Sequence, residues 1–150
     1  MSKFRLFFAA MTLAFVGLIS TAEAQKSAEL VLESTDAMQF TKKELKAKAG
    51  QTVKLTLKHT GKLAKAAMGH NFVLLAQGTD VAAFGQKAAQ ARDTEYIPKS
   101  EESKIIAHTK LIGGGESTSI EFKAPKKGTY TYICSFPGHY ALMQGKFIVE

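Results

Sequence analysis

Several features are scarce or absent in this sequence, and each absence excludes a class of protein. A single cysteine, Cys134, cannot close an internal disulfide. The one long apolar run, Leu6 to Ser20, is too short for a convincing membrane span. There is no internal repeat, interdomain linker or basic stripe interleaved with aromatic residues, so repeat, multidomain and nucleic-acid-binding proteins are disfavoured.

The amino-terminal segment has the pattern of an export signal. Lys3 and Arg5 precede the apolar run, and Ala22 and Ala24 supply the small side chains that signal peptidase requires. The pattern predicts a signal peptide over residues 1–24, cleaved after Ala24, and an exported, periplasmic protein of residues 25–150. An uncleaved anchor helix is the alternative, whereas a lipid anchor is disfavoured because no cysteine follows the run.

The remaining residues, 25–150, predict one basic domain that is long enough to bury a core without disulfides. The full chain has a formal net charge of +7. About +6 remains once Lys3, Arg5 and Glu23 are removed with the signal peptide. Such a charge favours acidic partners or anionic surfaces.

Short segments of alternating apolar and polar residues run through most of this domain. Alternation with a period of two is typical of strands that bury one face. Turn residues interrupt the segments at 49–51, 113–115, 126–128 and 137–138. The pattern predicts an all-β fold, an antiparallel Greek-key β-sandwich of about seven or eight strands. The clearest segments are Leu30–Leu32, Val53–Leu57, Ile120–Phe122, Tyr130–Ile133 and Phe147–Val149.

One segment departs from this alternation and predicts a short inserted helix. From Asp80 to Arg92, apolar residues recur at spacings of three and four, and Asp80 is a suitable N-cap. The glycine triplet Gly113–Gly115 lacks the strand and lysine context of a phosphate loop, so it predicts a turn.

The lone cysteine needs an explanation, because a free thiol is a liability in an oxidising compartment. Taken alone, Cys134 could be an inert buried thiol, an intermolecular bridge, a nucleophile or a metal ligand. Its neighbours favour the last option, since His139 and Met143 follow in the same short segment between two strand-like runs. Thiolate, imidazole and thioether form a soft donor set that suits copper in both oxidation states.

A trigonal blue-copper centre needs a second imidazole, for which three histidines remain. His59 and His70 lie in the first half of the chain, and His108 lies in the second. His70 precedes the apolar run Phe72–Leu75, so a strand end could hold its ring against the later loop. A surface or core position stays open for each of them.

Together these motifs resemble those of azurins, which are bacterial cupredoxins. Met68-Gly69-His70-Asn71 combined with Cys134-x4-His139-x3-Met143 is similar to the azurin ligand pattern. The spacing within the second motif differs from that of plastocyanin-like relatives, whose cysteine and histidine stand closer. Further similar segments at residues 36–40, 106–113 and 136–139 extend the resemblance over nearly the whole mature chain.

The resemblance implies a cupredoxin-like sandwich with one type 1 copper ion in a trigonal plane of His70, Cys134 and His139. Met143 is expected at a long axial distance, with the Gly69 carbonyl opposite.

Further residues around the metal are implied in the same way. Asn71 would tie the two ligand loops together, and backbone amides near Phe136 would bond the cysteine sulfur. The residue matching His59 lies close behind the site in azurins, where a histidine is able to change charge near neutral pH.

Two departures from the azurin pattern concern the core rather than the ligands. The usual disulfide would fall near Ala28 and Gly50, so this chain must fold without it. The frequent core tryptophan corresponds to Phe72, which should leave the core apolar.

The expected function is one-electron transport between periplasmic partners, without enzymatic activity, because the donor set leaves no open metal position. The resemblance implies redox partners such as c-type cytochromes or a copper- or haem-containing reductase or oxidase. They would dock at an apolar rim around a partly exposed His139. The members of this rim are Met38, Leu63, Met68, Phe136, Pro137, Ala141 and Leu142.

Two other functions stay open from the residues alone. One is a non-redox copper or zinc carrier that uses the same ligands. The other is a thiol-dependent enzyme with Cys134 as nucleophile and His139 or His70 as its base.

Overall fold

The computed structural model describes residues 27–150, so the predicted signal peptide and its cleavage site lie outside the described residues. The two α-helices within that range are α1 (Lys65–Met68) and α2 (Val81–Gln90), and two 3-10 helices span Arg92–Thr94 and Lys99–Lys104. The strands are β1 (Ala28–Thr35), β2 (Gln39–Phe40), β3 (Glu44–Ala47), β4 (Thr52–His59), β5 (Val73–Leu75), β6 (Ile105–His108), β7 (Ser117–Lys123), β8 (Gly128–Ile133) and β9 (Gln144–Val149).

The strands form two sheets, of order β2-β1-β4-β7 and β3-β9-β8-β5-β6. Most neighbours are antiparallel, but β1 pairs with β4 and β3 with β9 in parallel. The predicted all-β sandwich is confirmed, with nine strands described in residues 27–150 and with mixed rather than purely antiparallel sheets. The parallel pairs join strands that are distant in sequence, a pairing that local alternation does not reveal.

Alternating side chains from both sheets form the core between them. Along β4, Val53, Leu55 and Leu57 are fully buried while Lys54 and Lys58 are exposed, which is the period of two that the sequence predicts. On the side of the other sheet, Phe72, just before β5, is fully buried and packs against Tyr132, with ring centroids 5.3 Å apart. Phe72 therefore keeps the core apolar, as predicted.

The predicted helix is confirmed as α2, which covers one face of the five-stranded sheet. Asp80 Oδ1 accepts hydrogen bonds from the amides of Ala82 and Ala83 at 2.9 and 3.0 Å and so caps the helix. Phe84 and Ala88 pack against residues of β5 and β8 in a second small core. This packing buries β5 on both faces, so its sequence shows no alternation.

The glycine triplet is confirmed as a turn, in which Gly115 has a φ of +79°. This region of backbone conformation favours glycine, because in other residues the Cβ comes too close to backbone atoms. Among residues 27–150, no helix has the length and apolar character needed to cross a bilayer.

Strand ends bring the predicted ligand segments together. β8 ends directly before Cys134, and β9 begins directly after Met143. The start of β5 pairs with the end of β8, with Val73 opposite Ile133. His70, just before β5, therefore lies beside the loop that begins at Cys134.

Candidate metal centre

Three donor atoms converge where these segments meet. Cys134 Sγ lies 3.8 Å from His70 Nδ1 and 3.7 Å from His139 Nδ1, and the two nitrogen atoms are 3.2 Å apart. All three side chains are buried. Within residues 27–150 they are the one group of three Cys, His, Asp or Glu side chains arranged to hold a metal ion.

The size of this donor triangle fits a metal ion at its centre. With metal–nitrogen distances of about 2.0–2.1 Å and a metal–sulfur distance of about 2.3 Å, trigonal ligands lie about 3.5–3.8 Å apart. The observed edges are close to those values. Two imidazoles and one thiolate are also the donor set of blue-copper centres.

A hydrogen bond determines which nitrogen of His70 faces the site. Its Nε2–H donates to the Thr35 carbonyl oxygen at 3.0 Å, which leaves the Nδ1 lone pair free for a metal. The His59 ring stacks on His70, with centroids 4.4 Å apart. His59 Nδ1 accepts from the Gly61 amide and its Nε2–H donates to the Met68 carbonyl oxygen, both at 3.0 Å. His59 thus supports the ring of His70 from outside the donor triangle.

The environment of the Cys134 sulfur combines burial with two amide hydrogen bonds. Burial raises the pKa of the thiol to about 12, and the amides of Asn71 and Phe136 oppose that rise by donating to the sulfur. Since a metal binds the thiolate, metal binding at neutral pH must displace the proton from Cys134 Sγ. The Gly69 carbonyl oxygen lies 3.9 Å from the same sulfur.

Asn71 connects the two ligand segments. Its Oδ1 accepts from the Ser135 amide, and its Nδ2–H donates to the Ser135 hydroxyl, both at 2.8 Å. Nδ2–H also donates to the Glu95 carbonyl oxygen at 3.4 Å. Because Asn71 follows His70 and Ser135 follows Cys134, these bonds fix the separation of the two ligand residues.

Both histidines of the triangle are neutral at neutral pH. Burial lowers the pKa of His70 to about 4, although the bond to Thr35 opposes this shift. Burial likewise lowers the pKa of His139 to about 4. Each imidazole can therefore offer a lone pair without first losing a proton.

Met143 closes the ligand loop. It is fully buried, its amide donates to the His139 carbonyl oxygen at 2.8 Å, and its own carbonyl oxygen accepts from the Cys134 amide at 2.9 Å. His108, by contrast, is exposed on β6 and lies outside the donor cluster. Of the histidines considered from sequence, the structure brings His70 and His139 to the cysteine.

The predicted apolar rim is uneven in its exposure. Leu63 and Leu142 are 45% and 58% exposed, Ala141 is exposed, and Met38, Met68 and Pro137 are half-buried. Phe136 is buried and packs against the His139 ring with centroids 4.7 Å apart. His139 itself is only 3% exposed, less than the resemblance implies, because Phe136 covers one side of it.

Sequence reasoning missed the groups that act mainly through their backbone. Thr35 holds His70 through its carbonyl oxygen, a contact with no side-chain signature in the sequence. Ser135 bonds Asn71 through both its amide and its hydroxyl. The only available signal for Ser135 was its place directly after Cys134.

Comparison with known proteins agrees with this geometry. Residues 26–150 match the family described as copper binding proteins, plastocyanin/azurin family. The chain is 45% identical over 118 residues to Azurin-1 of Alcaligenes xylosoxydans xylosoxydans, which covers 76% of this chain and 91% of that protein. It is 47% identical over 123 residues to azurin of Achromobacter denitrificans, which covers 78% of this chain and 80% of that one. The solved structure of auracyanin A, a "blue" copper protein from Chloroflexus aurantiacus, matches with a TM-score of 0.76 at 34% identity, over 83% of this chain and 100% of that one.

Proposed function

The chain belongs to the plastocyanin/azurin family of copper-binding proteins, and from that membership we propose how its own residues hold the metal. His70 Nδ1, Cys134 Sγ and His139 Nδ1 would be the three strong donors to the copper, and their buried triangle is the observation that carries the proposal. Met143, which is buried beside them, and the Gly69 carbonyl oxygen, 3.9 Å from the sulfur, would complete the set of residues that holds the copper. The amides of Asn71 and Phe136 hold the sulfur, and the Asn71 side chain joins the loops.

The protein is a one-electron carrier with one type 1 copper ion, and it is not an enzyme. When bound, copper supplies the couple between Cu(I) and Cu(II). The residues around it keep the donor atoms in place: Thr35 orients His70, Asn71 fixes the two loops relative to each other, and Phe136 covers His139. Such a rigid, buried frame needs little rearrangement when an electron arrives or leaves.

The alternative functions have no observation in their favour. Burial raises the pKa of Cys134 to about 12, whereas a catalytic thiol needs a lowered pKa and access to substrate. A non-redox carrier would use the same ligands, and nothing in the described residues favours it over the redox function of the family.

An absorption spectrum of the Cu(II)-loaded mature protein tests the proposed ligand set. A short bond between copper and the Cys134 thiolate should give an intense blue charge-transfer band, and the Zn(II)-loaded protein should be colourless. Cys134→Ser should abolish the band. A colourless Cu(II) form of the wild type, or a blue Cys134→Ser variant, would show that the assignment is wrong.

The redox partners of this carrier are proposed to dock at the apolar rim. The exposed side chains of Leu63, Ala141 and Leu142 support this surface, since exposed apolar side chains can mark contact sites. Redox proteins such as c-type cytochromes or a copper- or haem-containing reductase or oxidase fit this role.

Residues 1–24 are proposed to be a signal peptide that is cleaved after Ala24, leaving a single domain of residues 25–150 in the periplasm. The support is the basic start, the short apolar run and the small residues before the cut. Mass spectrometry of the protein recovered from the periplasmic fraction would test it. A mature chain that begins at Gln25 is expected, and a chain that keeps its apolar run would contradict cleavage.

A further inference from the structure

We propose that this carrier has a second, lateral docking site, where a guanidinium beside the ligand loop binds a surface carboxylate of an acidic redox partner. The proposal rests on the one-electron function above and adds a second place at which electrons are exchanged. The site is a groove of about 230 Å³. Its lining includes Lys65, Arg92, Glu95, Tyr96, Leu111 and Phe136.

Aromatic contacts join this groove to the donor triangle. Phe136 lies against the ring of His139 at a centroid distance of 4.7 Å. Tyr96 contacts Phe136 edge-on, at a centroid distance of 5.1 Å. Tyr96 is half-buried and lines the groove, so two ring contacts span the path from a ligand to this surface. Electron tunnelling weakens steeply with distance, and a partner in the groove would be close to the metal along this path.

The charges in the groove favour an anionic partner. One oxygen of Glu95 accepts the Leu111 amide at 3.1 Å, and the other lies 3.8 Å from Lys65 Nζ. The carboxylate of Glu95 is therefore engaged within the groove wall. Arg92 is exposed, and the described part of the chain provides no ion-pair partner for its guanidinium. A guanidinium binds a carboxylate through two parallel hydrogen bonds, which gives orientation as well as attraction.

The turn that carries Tyr96 is held rigidly against the metal centre. Glu95 and Tyr96 are consecutive residues with positive φ, 52° and 65°, a conformation that costs energy in residues other than glycine. Tyr96 donates its amide to the Ala91 carbonyl oxygen at 2.9 Å, and Asn71 donates to the Glu95 carbonyl oxygen. Since Asn71 also binds Ser135, the lateral site and the Cys134 loop are parts of one hydrogen-bonded frame.

The lateral site differs chemically from the apolar rim. The exposed rim residues Leu63, Ala141 and Leu142 carry no charge and suit an uncharged, dry contact. The groove presents a cation beside aromatic edges and suits an acidic surface. The occupant is therefore a redox protein with a carboxylate next to its redox group, and the net charge of about +6 that remains without residues 1–24 would help to attract it.

Anion binding can be mapped without any electron transfer. Hexacyanochromate(III) is paramagnetic and redox-inert, and it can be titrated into the Cu(I)-loaded protein while amide NMR signals are recorded. Broadening should be strongest around Arg92 and Tyr96 and should disappear from that segment in Arg92→Glu. Broadening spread evenly over the exposed lysines, or unchanged in Arg92→Glu, would overturn the lateral site.

Oxidation of the Cu(I)-loaded protein by hexacyanoferrate(III) tests the site functionally. One electron passes from the protein to the complex, which yields Cu(II) and hexacyanoferrate(II) with no proton or bond change. Arg92→Glu should slow this reaction about fivefold at low ionic strength. Lys126→Glu makes the same change of net charge on the exposed turn before β8, at the other end of that strand from Cys134. Equal rates for the two variants would overturn the proposal.

A second pair of variants tests the aromatic path. Tyr96→Leu should slow oxidation by hexacyanoferrate(III) and leave oxidation by the cationic tris(phenanthroline)cobalt(III) unchanged, while Tyr96→Phe keeps the ring and the rate. Equal rates in Tyr96→Leu and Tyr96→Phe would contradict the path. In every variant the blue band must persist. Its absence from the wild type would instead refute the proposed copper ligands, so the two failures can be told apart.

Discussion

At the residue scale, hydrogen-bonding groups outside the donor triangle determine which donor atoms face the metal site. The convergence of three donor side chains was predictable, because Cys134 and His139 share one loop and His70 lies in a recognisable motif. The choice of His70 Nδ1 was not predictable, since it depends on a carbonyl oxygen of Thr35, far away in sequence. The contact of Tyr96 with Phe136 was equally hidden, because it depends on a left-handed turn at Glu95 and Tyr96.

Met143→Leu tests the axial role that is proposed for Met143 separately from the roles of His70, Cys134 and His139. The variant should keep its copper and its blue colour but should have a higher reduction potential, because the weak thioether donor favours Cu(II) over Cu(I). Redox titration followed by visible absorption measures the change. Met38→Leu makes the same substitution at a half-buried rim position and should leave the potential unchanged. Loss of copper from Met143→Leu, or equal potentials in the two variants, would contradict the axial role proposed for Met143.

At the scale of elements, the strength of the local pattern decided what could be predicted. β4 alternates over eight residues and α2 has both a cap and an apolar face, so both were found. β2 has two residues and β3 has four, too few for a period to stand out. The parallel pairing of β1 with β4 depends on contacts between distant segments and leaves no local pattern.

The packing of α2 against the ligand loop gives an element-scale prediction. Gly85 is buried in α2, and a Cβ there would overlap the ring of Tyr140, the residue that follows His139. Overpacking in Gly85→Ala should destabilise the fold by about 1–3 kcal/mol. The higher helix propensity of alanine should offset about 1 kcal/mol of that loss. Because Tyr140 must move, the Cu(II) electron paramagnetic resonance spectrum should also change.

Urea unfolding and that spectrum, recorded for matched variants, would check this prediction. Gln86→Ala, at the exposed neighbouring position, should change neither. The double variant Gly85→Ala/Tyr140→Ala should be less destabilised than the sum of the single variants, because the overlap is gone. Simple additivity, or an unaltered spectrum in Gly85→Ala, would rule out the coupling between α2 and the ligand loop.

A buried carboxylate joins α2 to the second 3-10 helix and predicts a pH dependence. Hydrogen bonds from Lys104 and Lys87 hold the pKa of Glu101 below its usual value of 4.5. Because these contacts favour the charged form of Glu101 in the folded state, they stabilise the fold above about pH 4.5. That stabilisation is lost as the pH falls below this value. Glu101→Gln should therefore be destabilising at about pH 7 and much less so at about pH 3.

Urea unfolding of metal-free wild type and variant at both pH values measures this difference. The same ligand side chains titrate in both proteins, so their contributions cancel in the comparison. Glu102→Gln, at the exposed neighbour, should have little effect at either pH. A Glu101→Gln deficit that did not shrink in acid would show that the carboxylate charge does not stabilise this contact.

At the scale of the whole molecule, both copper binding and core packing are expected to stabilise the folded state. The chain has a single cysteine and therefore no internal disulfide, a bond whose removal typically costs about 2–5 kcal/mol where it is present. Copper that binds only the folded state would add about 2.7 kcal/mol at a hundred times its dissociation constant. Calorimetry should therefore show copper-loaded protein melting about 10 °C above the metal-free form. Equal melting temperatures at saturating copper would mean that the site does not select the folded state.

The rim and the groove, which are both proposed docking surfaces, make distinct predictions for electron exchange between identical copies. Self-exchange brings two equal, basic molecules together, so it should use the uncharged rim around His139 rather than the cationic groove. Leu142→Lys places a charge on an exposed rim side chain, and two such charges would meet at the contact, which should slow self-exchange about tenfold at low ionic strength. Arg92→Glu should not slow it.

Line broadening in mixtures of Cu(I) and Cu(II) protein measures this rate directly, across a range of salt concentrations. Salt should partly restore the rate of Leu142→Lys because it screens the repulsion. Met68→Lys, a half-buried rim position, should act in the same direction, and both variants should keep the blue band of the wild type. If Leu142→Lys and Met68→Lys exchanged electrons as fast as the wild type while Arg92→Glu was slow, the groove would be the contact between copies and the rim would have no part in exchange.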